Sequence, residues 1–218
     1  METDSLAAAR RHMVESQLRS RGIRDERVLQ AMSRVPRHEF VAPEFQHQAY
    51  EDHPLPIGNE QTISQPYIVA IMLEALNLAP SEIVLEVGTG SGYLTALLAE
   101  LCGHVYSIEL HESLASRSRM TLQRLGYGNA TVSAGDGAQG LPQYAPFHAI
   151  VVSAAAADVP KPLFDQLAEG GRMVMPVGLP EAQQLQWIRK QAGNPVVTVL
   201  EGVRFVPLLA SAGKPISG

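Results

Sequence analysis

The chain has 218 residues, of which 45% are hydrophobic and 18% are charged, and its formal net charge is -5. This composition is typical of a soluble globular protein, and the length suits one α/β domain. Because a net negative charge gives no general attraction to nucleic acid or to anionic membranes, we expect neither as a partner.

Cysteine content and hydropathy predict a cytoplasmic location. The single cysteine, Cys102, cannot form an internal disulfide, and its place after an apolar helix predicts a buried small side chain rather than a nucleophile. No stretch of 18 apolar residues occurs, and residues 1–11 lack the apolar centre of a signal peptide. We expect a monomer of one domain.

The N-terminal part of the chain predicts two helices and an irregular segment. Apolar residues at helical spacing predict an amphipathic helix over 5–20, and Asp25 can cap a second helix that ends before Pro36. Residues 36–65 show little periodicity but contain enough apolar side chains for an ordered segment. We expect residues 1–66 to form a helical cap, with 41–65 as a lid.

Strands alternate with helices in the middle of the chain. Helices are predicted over 67–76, 94–101, 112–125 and 162–167, and strands over 83–87, 104–109, 130–134, 149–153 and 172–177. Gly170 and Gly171 predict a turn before the last of these strands. This alternation predicts a doubly wound, mainly parallel α/β sheet over 67–178. Residues 185–189 and 196–206, interrupted by Gly202, predict antiparallel strands within a C-terminal part, 179–218.

Residues 83–93 read Ile-Val-Leu-Glu-Val-Gly-Thr-Gly-Ser-Gly-Tyr, a buried strand that turns into a helix through three glycines. Glycines there allow a ligand to approach the backbone at a helix N-terminus, although a glycine turn without a ligand is the alternative. Tyr93 stands where a dinucleotide fingerprint needs a fourth glycine, which favours S-adenosylmethionine over NAD. The predicted nucleoside-binding loop comprises Gly88, Thr89, Gly90, Ser91 and Gly92.

Acidic residues end the two strands that follow this loop. Glu109 lies 19 residues after Gly90, where a carboxylate of a doubly wound sheet meets ribose hydroxyls. Asp136 ends the next strand and could accept a hydrogen bond from an adenine amino group. Glu86, before the loop, could orient it or meet the amino group of the methionine part. Each acid could instead cap a helix or turn.

Other chemistries lack the residues that they need. The seven histidines show no HxxxH pair and no cysteine partner, so no metal site is predicted. Ser91 is not in a GxSxG motif, because Thr89 and Tyr93 occupy the glycine positions, and no phosphate-binding GxxxxGK[ST] motif is present.

Six blocks of the sequence carry a resemblance to a known family. They are Ala-Tyr-Glu-Asp at 49–52, Pro-Leu-Pro-Ile-Gly at 54–58, Gln-Thr-Ile-Ser-Gln-Pro at 61–66, the stretch 86–93, Gly-Asp-Gly at 135–137 and Val-Arg-Phe-Val-Pro-Leu at 203–208. Over about residues 13–208 the chain resembles the protein-L-isoaspartate O-methyltransferases. The glycine motif is common to many S-adenosylmethionine enzymes, whereas block 61–66 and its upstream partner are specific to this family.

The resemblance implies a Rossmann-like fold and methyl transfer from S-adenosylmethionine to the α-carboxylate of L-isoaspartyl residues in damaged proteins and peptides. The ester would close to a succinimide that reopens partly to aspartate. The family's active-site serine corresponds to Ser64, with Thr62 beside it, although from local sequence either could simply cap the helix that follows Pro66. Further cofactor contacts are expected at Gln61, Ile63, Leu110 and Gly137.

Two positions depart from the family pattern. Ser153 stands where similar proteins carry threonine, and His148, expected at the far end of its strand, stands where they carry aspartate. Three rival functions remain at this stage: a methyltransferase for a small carboxylic acid or another nucleophile, a non-catalytic nucleoside-binding protein, and an NAD oxidoreductase.

Overall fold

The computed structural model describes residues 4–210 and contains a central sheet of seven strands in the order β5-β4-β3-β6-β7-β8-β9. The strands from β3 to β7 run parallel, and β8 and β9 run antiparallel. The predicted fold class is therefore confirmed. The bounds are β3 Ile83–Val87, β4 His104–Glu109, β5 Ala130–Ala134, β6 Phe147–Val152, β7 Leu167–Val177, β8 Gln183–Gln191 and β9 Asn194–Val203.

Helices pack on both faces of this sheet. They are α2 Glu26–Arg34, α3 Pro66–Leu76, α4 Tyr93–Leu101, α5 Glu112–Arg124 and α6 Lys161–Asp165. Successive side chains of a strand point to opposite faces, so neighbours in β3 enter different cores. Val84 belongs to the buried cluster that contains residues of α2 to α5, and Leu85 belongs to the cluster that contains Leu163 of α6.

The N-terminal helix changes its winding along its length. It begins as α1 Asp4–His12, continues as a π-helix over Met13–Leu18 and ends in a 3-10 turn, Arg19–Arg21, so the predicted α-helix over 5–20 is only partly present. Met13 and Leu18 are fully buried and lie five residues apart. This is the hydrogen-bond spacing of a π-helix, which allows both side chains to reach the core.

The segment predicted to be irregular contains regular structure. After 3-10 turns at Arg37–Phe40 and Pro43–Gln48, strands β1 Leu55–Gly58 and β2 Gln61–Ile63 form a hairpin that is separate from the main sheet. Asn59 and Glu60 in its turn have φ values of 51° and 58°, as a tight type I′ turn requires. This hairpin was not predicted from the sequence.

Hydrogen bonds fasten the β1–β2 hairpin to α5. The Arg117 guanidinium donates to the carbonyl of Ile57, and the Asn59 amide donates to Ser113 Oγ over 2.9 Å. The hairpin therefore has a fixed position over the carboxyl ends of the parallel strands.

Two predictions near the C-terminus were wrong in detail. Gly170 and Gly171 lie inside β7 rather than in a turn before it, because extra residues bulge out between the pairs Phe147–Leu167 and Ala149–Arg172. Likewise, Gly202 pairs within β9, and the irregularity lies at Leu200, since Leu185 pairs with Glu201 and Gln186 with Val199. In the first case the glycines correctly indicated an irregularity, but it is a bulge within a strand and not a turn.

The structure agrees with the predictions made for Cys102 and His148. Cys102 is buried, with 7% of its surface exposed, and His148 lies at the amino end of its strand, where its Nδ1 is 3.1 Å from the backbone N of Ile83. Between residues 4 and 210, no helix combines the length and the apolar character needed to cross a bilayer.

Candidate functional site

A cavity of about 800 Å³ opens at the carboxyl ends of the parallel strands. It lies where the strand order reverses between β3 and β6, the usual ligand site of an open α/β sheet. Its lining includes residues of the β1–β2 hairpin and residues 202–209, which we call the C-terminal segment. Eight of the fourteen predicted site residues line it: Gln61, Thr62, Ser64, Gly88, Gly90, Glu109, Leu110 and Gly137.

The other six predicted residues lie around this cavity. Ile63, Thr89 and Ser91 line a small adjoining cavity of about 40 Å³. Glu86, Gly92 and Asp136 are in the lining of neither cavity. The predicted set therefore divides into residues that face the large cavity and residues that support them.

The glycine loop, residues 88–92, has a backbone that other residues adopt with difficulty. Gly88, Gly90 and Gly92 have φ values of +90°, +54° and +89°. A Cβ atom on Gly92 would lie 3.1 Å from Ser118 Cβ, and one on Gly90 would lie 3.2 Å from Ile57 Cδ1. The loop therefore packs closely against α5 and the hairpin while its backbone borders the cavity.

Glu109 joins the glycine loop to the end of β4. Its carboxylate is 5% exposed, and its two oxygens accept hydrogen bonds from the backbone N–H groups of Gly90, over 2.8 Å, and His111, over 3.0 Å. Each carboxylate oxygen can accept a second hydrogen bond. Glu109 is thus fixed in orientation and can still accept bonds from hydroxyl groups in the cavity.

Glu86 supports the loop from behind. It is fully buried, and its Oε2 accepts hydrogen bonds from Thr95 Oγ1 over 2.5 Å and Ser107 Oγ over 2.6 Å. The Ser107 hydroxyl lies 2.5 Å from that of Thr89, in the loop. Burial raises the pKa of the Glu86 carboxyl to about 8. Of the two roles considered for Glu86, this arrangement fits orientation of the loop.

Asp136 and Gly137 follow β5, and Gly137 lines the floor of the large cavity. The Asp136 side chain accepts a hydrogen bond from the backbone N–H of Ala138 over 3.0 Å and so caps a 3-10 turn. Gly137 is buried, and a Cβ atom on it would lie 2.5 Å from Val87 Cγ1. Only glycine fits at this point of the wall.

We expect Gly137→Ala to lower the free energy of unfolding by about 1–3 kcal/mol, because the added methyl group overlaps the buried Val87 side chain. Denaturant titration of both proteins measures this. Gly128→Ala is the matched control, since a Cβ atom there meets nothing within 4 Å. Equal losses for the two variants would contradict the steric argument.

Ser64 and Thr62 reach the cavity from the hairpin side. Ile63, between them, is buried and pairs with Leu55 of β1, which turns its two neighbours away from the core. Ser64 is followed by Gln65 and by Pro66, the first residue of α3. Over residues 4–210, no hydrogen-bond partner is found for the Ser64 hydroxyl, so it can bind a ligand group in the cavity.

Gln183 was not among the predicted site residues. Its side-chain amide holds the C-terminal segment, because it accepts a hydrogen bond from Phe205 N over 2.6 Å and donates to Phe205 O over 3.1 Å. No local pattern marks Gln183. His111, also missed, lines the cavity two residues after Glu109, so the strand-end argument could have found it.

The C-terminal segment also binds the loop after β6. Ala155 N donates to Val206 O over 2.8 Å, and Leu208 N donates to Ala155 O over 2.7 Å. Ser153, which begins this loop, lines the cavity beside Gly88. The loop after β6 and the C-terminal segment are therefore in contact at the cavity.

Comparison of the sequence with protein families and characterised relatives gives a consistent result. The family model for protein-L-isoaspartate(D-aspartate) O-methyltransferase matches residues 8–213. A protein-L-isoaspartate O-methyltransferase from Koribacter versatilis is 56% identical over 207 residues, 95% of this chain and 93% of the relative. One from Methanoculleus marisnigri is 52% identical over 213 residues, 98% of this chain and 97% of the relative.

Solved structures with the same fold agree. A protein-L-isoaspartate O-methyltransferase superimposes with a TM-score of 0.84 at 29% identity, over 94% of this chain and 67% of that chain. A second, a putative enzyme of this kind from Plasmodium falciparum in complex with S-adenosyl-L-homocysteine, has a TM-score of 0.81 at 29% identity, over 91% of this chain and 97% of that chain.

Proposed function

Because this chain belongs to the protein-L-isoaspartate(D-aspartate) O-methyltransferase family, we propose that its cavity brings S-adenosylmethionine and an isoaspartyl carboxylate together, with Ser64 at the carboxylate. The protein transfers a methyl group to the α-carboxylate of L-isoaspartyl residues in damaged proteins and peptides. The ester then closes to a succinimide, which reopens partly to aspartate. The observation that carries the proposed roles is that Ser64, Gly90 and Glu109 line one cavity.

The residues on the donor side fit the cofactor. The cavity has the size of a small-molecule site, and its wall combines a bare glycine backbone with a buried, oriented carboxylate at Glu109. S-adenosylmethionine supplies an electrophilic methyl group on a positively charged sulfur. We assign the ribose hydroxyls to Glu109 and the adenine side to Asp136, Gly137 and Leu110, while Gln61 and Ile63 of β2 approach from the hairpin.

The acceptor needs no general base. A free α-carboxyl has an intrinsic pKa of about 3.5, so it is ionised at neutral pH and can attack a methyl group directly. What this chain must supply is alignment of the carboxylate and exclusion of water from the reacting charges. The Ser64 hydroxyl donates a hydrogen bond to a carboxylate oxygen, and Thr62 supports the same orientation. The hairpin and the C-terminal segment limit the access of water.

We expect Ser64→Ala to reduce kcat/KM for an isoaspartyl peptide by about 10- to 150-fold, since one hydrogen bond to a charged group contributes about 1.5–3 kcal/mol. The dissociation constant for S-adenosylhomocysteine should change less than about twofold, because Ser64 does not contribute to the glycine loop or to Glu109. Radiolabelled methyl transfer, read as base-labile methanol, measures turnover on the isoaspartyl peptide and on its aspartyl twin.

Ser81→Ala, which removes an exposed hydroxyl at the amino end of the sheet, is the matched control and should retain full activity. Undiminished turnover in Ser64→Ala would remove the proposed role of this serine. Binding of S-adenosylhomocysteine without methylation of either peptide by the wild-type protein would contradict the activity itself.

We further propose that the protein acts as a single-domain monomer in the cytoplasm and without nucleic acid. The single cysteine and the net charge of -5 support the location and the absence of a nucleic-acid partner. Gel filtration at several concentrations measures the oligomeric state, and a concentration-dependent increase in mass would contradict the monomer.

A further inference from the structure

The stretch at residues 49–52, one of the six blocks that resemble the family, has no part in the chemistry described above, yet it lies beside the segment that carries Ser64. We propose that Asp52, at the end of this stretch, is a positioning residue that fixes Ser64 by holding the start of α3. This inference deepens the proposed function and rests on the role assigned to Ser64. Asp52 does not line the cavity, so its contribution would be indirect.

The carboxylate of Asp52 binds both residues that bracket Pro66. Its Oδ1 accepts a hydrogen bond from the backbone N–H of Tyr67 over 3.0 Å, and its Oδ2 accepts one from the Gln65 amide over 3.3 Å. Gln65 is the N-cap residue of α3 but its side chain does not cap the helix, and Pro66 has no N–H. Asp52 therefore caps α3 from outside the helix.

Arg21 holds Asp52 and Tyr67 together. Its guanidinium forms an ion pair with Asp52 Oδ2, and its Cζ lies 3.4 Å above the centre of the Tyr67 ring. The Tyr67 hydroxyl donates a hydrogen bond to the Arg21 carbonyl over 3.4 Å. The side chain of Asp52 is only 21% exposed, so this pair is better shielded from solvent than a typical surface ion pair.

Asp52 itself is anchored to the core. Ala49 and Tyr50 are buried, and their carbonyls accept hydrogen bonds from Arg37 Nε over 2.8 Å and from Gln17 Nε2 over 3.0 Å. On the other side of Ser64, Ile63 is held by its pairing in the hairpin. Ser64 is therefore the single residue between two fixed positions, Ile63 and Gln65.

Loss of the Asp52 contacts should affect the acceptor more than the cofactor. A hydroxyl that moves by a fraction of an ångström no longer aims the carboxylate, and such misplacement reduces rates strongly. Glu109 and the glycine loop receive their hydrogen bonds from other residues, so the donor side keeps its geometry.

The test is a double-mutant cycle between Asp52 and Ser64. Asp52→Ala should reduce kcat/KM for an isoaspartyl peptide by about tenfold and leave the dissociation constant for S-adenosylhomocysteine within about twofold of wild type. In the Ser64→Ala background, the same substitution should reduce kcat/KM by less than about twofold, because the hydroxyl that it positions is absent. Asp52→Asn should restore most of the activity, since its amide oxygen can still accept from Tyr67 N.

Glu26→Ala is the matched control, because Glu26 forms an ion pair with Arg19 in the neighbouring turn. It should leave kcat/KM unchanged. If Asp52→Ala reduces kcat/KM by the same factor with Ser64 present and in the Ser64→Ala background, the proposal is overturned. It is also overturned if Asp52→Ala weakens the affinity for S-adenosylhomocysteine by as much as it reduces kcat/KM. If Ser64 has no role in the reaction, the Ser64→Ala protein alone keeps full activity. Failure of the role proposed for Ser64 is therefore distinguishable from failure of the role proposed for Asp52. If Asp52→Ala does not fold, Arg21→Met replaces it in the double-mutant cycle with Ser64→Ala.

Discussion

Replacement of Glu109 by alanine should weaken binding of S-adenosylmethionine by about 100-fold or more. The Glu109 carboxylate accepts hydrogen bonds from Gly90 and His111, which fix its orientation. The substitution removes the charged acceptor that we assign to the two ribose hydroxyls, and hydrogen bonds to a charged group contribute about 1.5–3 kcal/mol each. It also frees the glycine loop from the end of β4, so the effect exceeds that of a single lost contact.

Calorimetric titration with S-adenosylhomocysteine measures this affinity directly and does not depend on turnover. Glu112→Ala is the control, because Glu112 is exposed, lies three residues further along the chain and forms an ion pair only with Arg119 among the interactions described. If Glu109→Ala and Glu112→Ala bind with similar affinity, Glu109 is not part of the cofactor site.

The stability of the folded protein should decrease between about pH 5 and pH 8 because of Glu86. Burial raises the pKa of this carboxyl from 4.5 to about 8, so over this range the unfolded state has lost the proton that the folded state retains. A raised pKa in the folded state means that the stabilisation is complete below pH 4.5 and is lost as the pH rises through 8. The expected slope is about 1.4 kcal/mol per pH unit.

Glu86→Gln should remove this contribution, because the amide does not ionise and its oxygen can still accept from Thr95 and Ser107. The difference in free energy of unfolding between wild type and variant, measured by denaturant titration at each pH, isolates the contribution of Glu86. Glu44→Gln changes an exposed carboxylate and controls for net charge. A difference that stays constant from pH 5 to pH 8 would mean that Glu86 ionises normally in the folded state.

The parallel core could be predicted from the sequence because its signals are local. The strands at 83–87 and 149–153 are mainly apolar, and glycine or an acid stands at the carboxyl ends of three neighbouring strands, at Gly88, Glu109 and Asp136. Since the carboxyl ends of parallel strands meet at one edge, these positions implied a shared site. The structure brings Gly88 and Glu109 to one cavity and places Asp136 beside its floor.

The hairpin and the long-range contacts could not be predicted in the same way. β1 and β2 are short, and Pro54, Pro56 and Glu60 conceal the alternation that would mark a hairpin. Asp52 and Tyr67 are 15 residues apart and form a direct hydrogen bond, and Arg21, further upstream, contacts both. Such contacts depend on the packing of separate elements, and spacing along the chain carries no information about them.

Gly137 also bears on the chemical stability of the backbone. The chain contains one Asp-Gly step, Asp136–Gly137, and glycine after an aspartate leaves the backbone nitrogen sterically free to attack the side chain and form a succinimide. Here the Asp136 side chain is bound to Ala138 N, and Gly137 is packed against Val87, so this peptide unit has little freedom to rotate. We therefore expect succinimide formation at this step to be slower in the folded protein than in the unfolded chain.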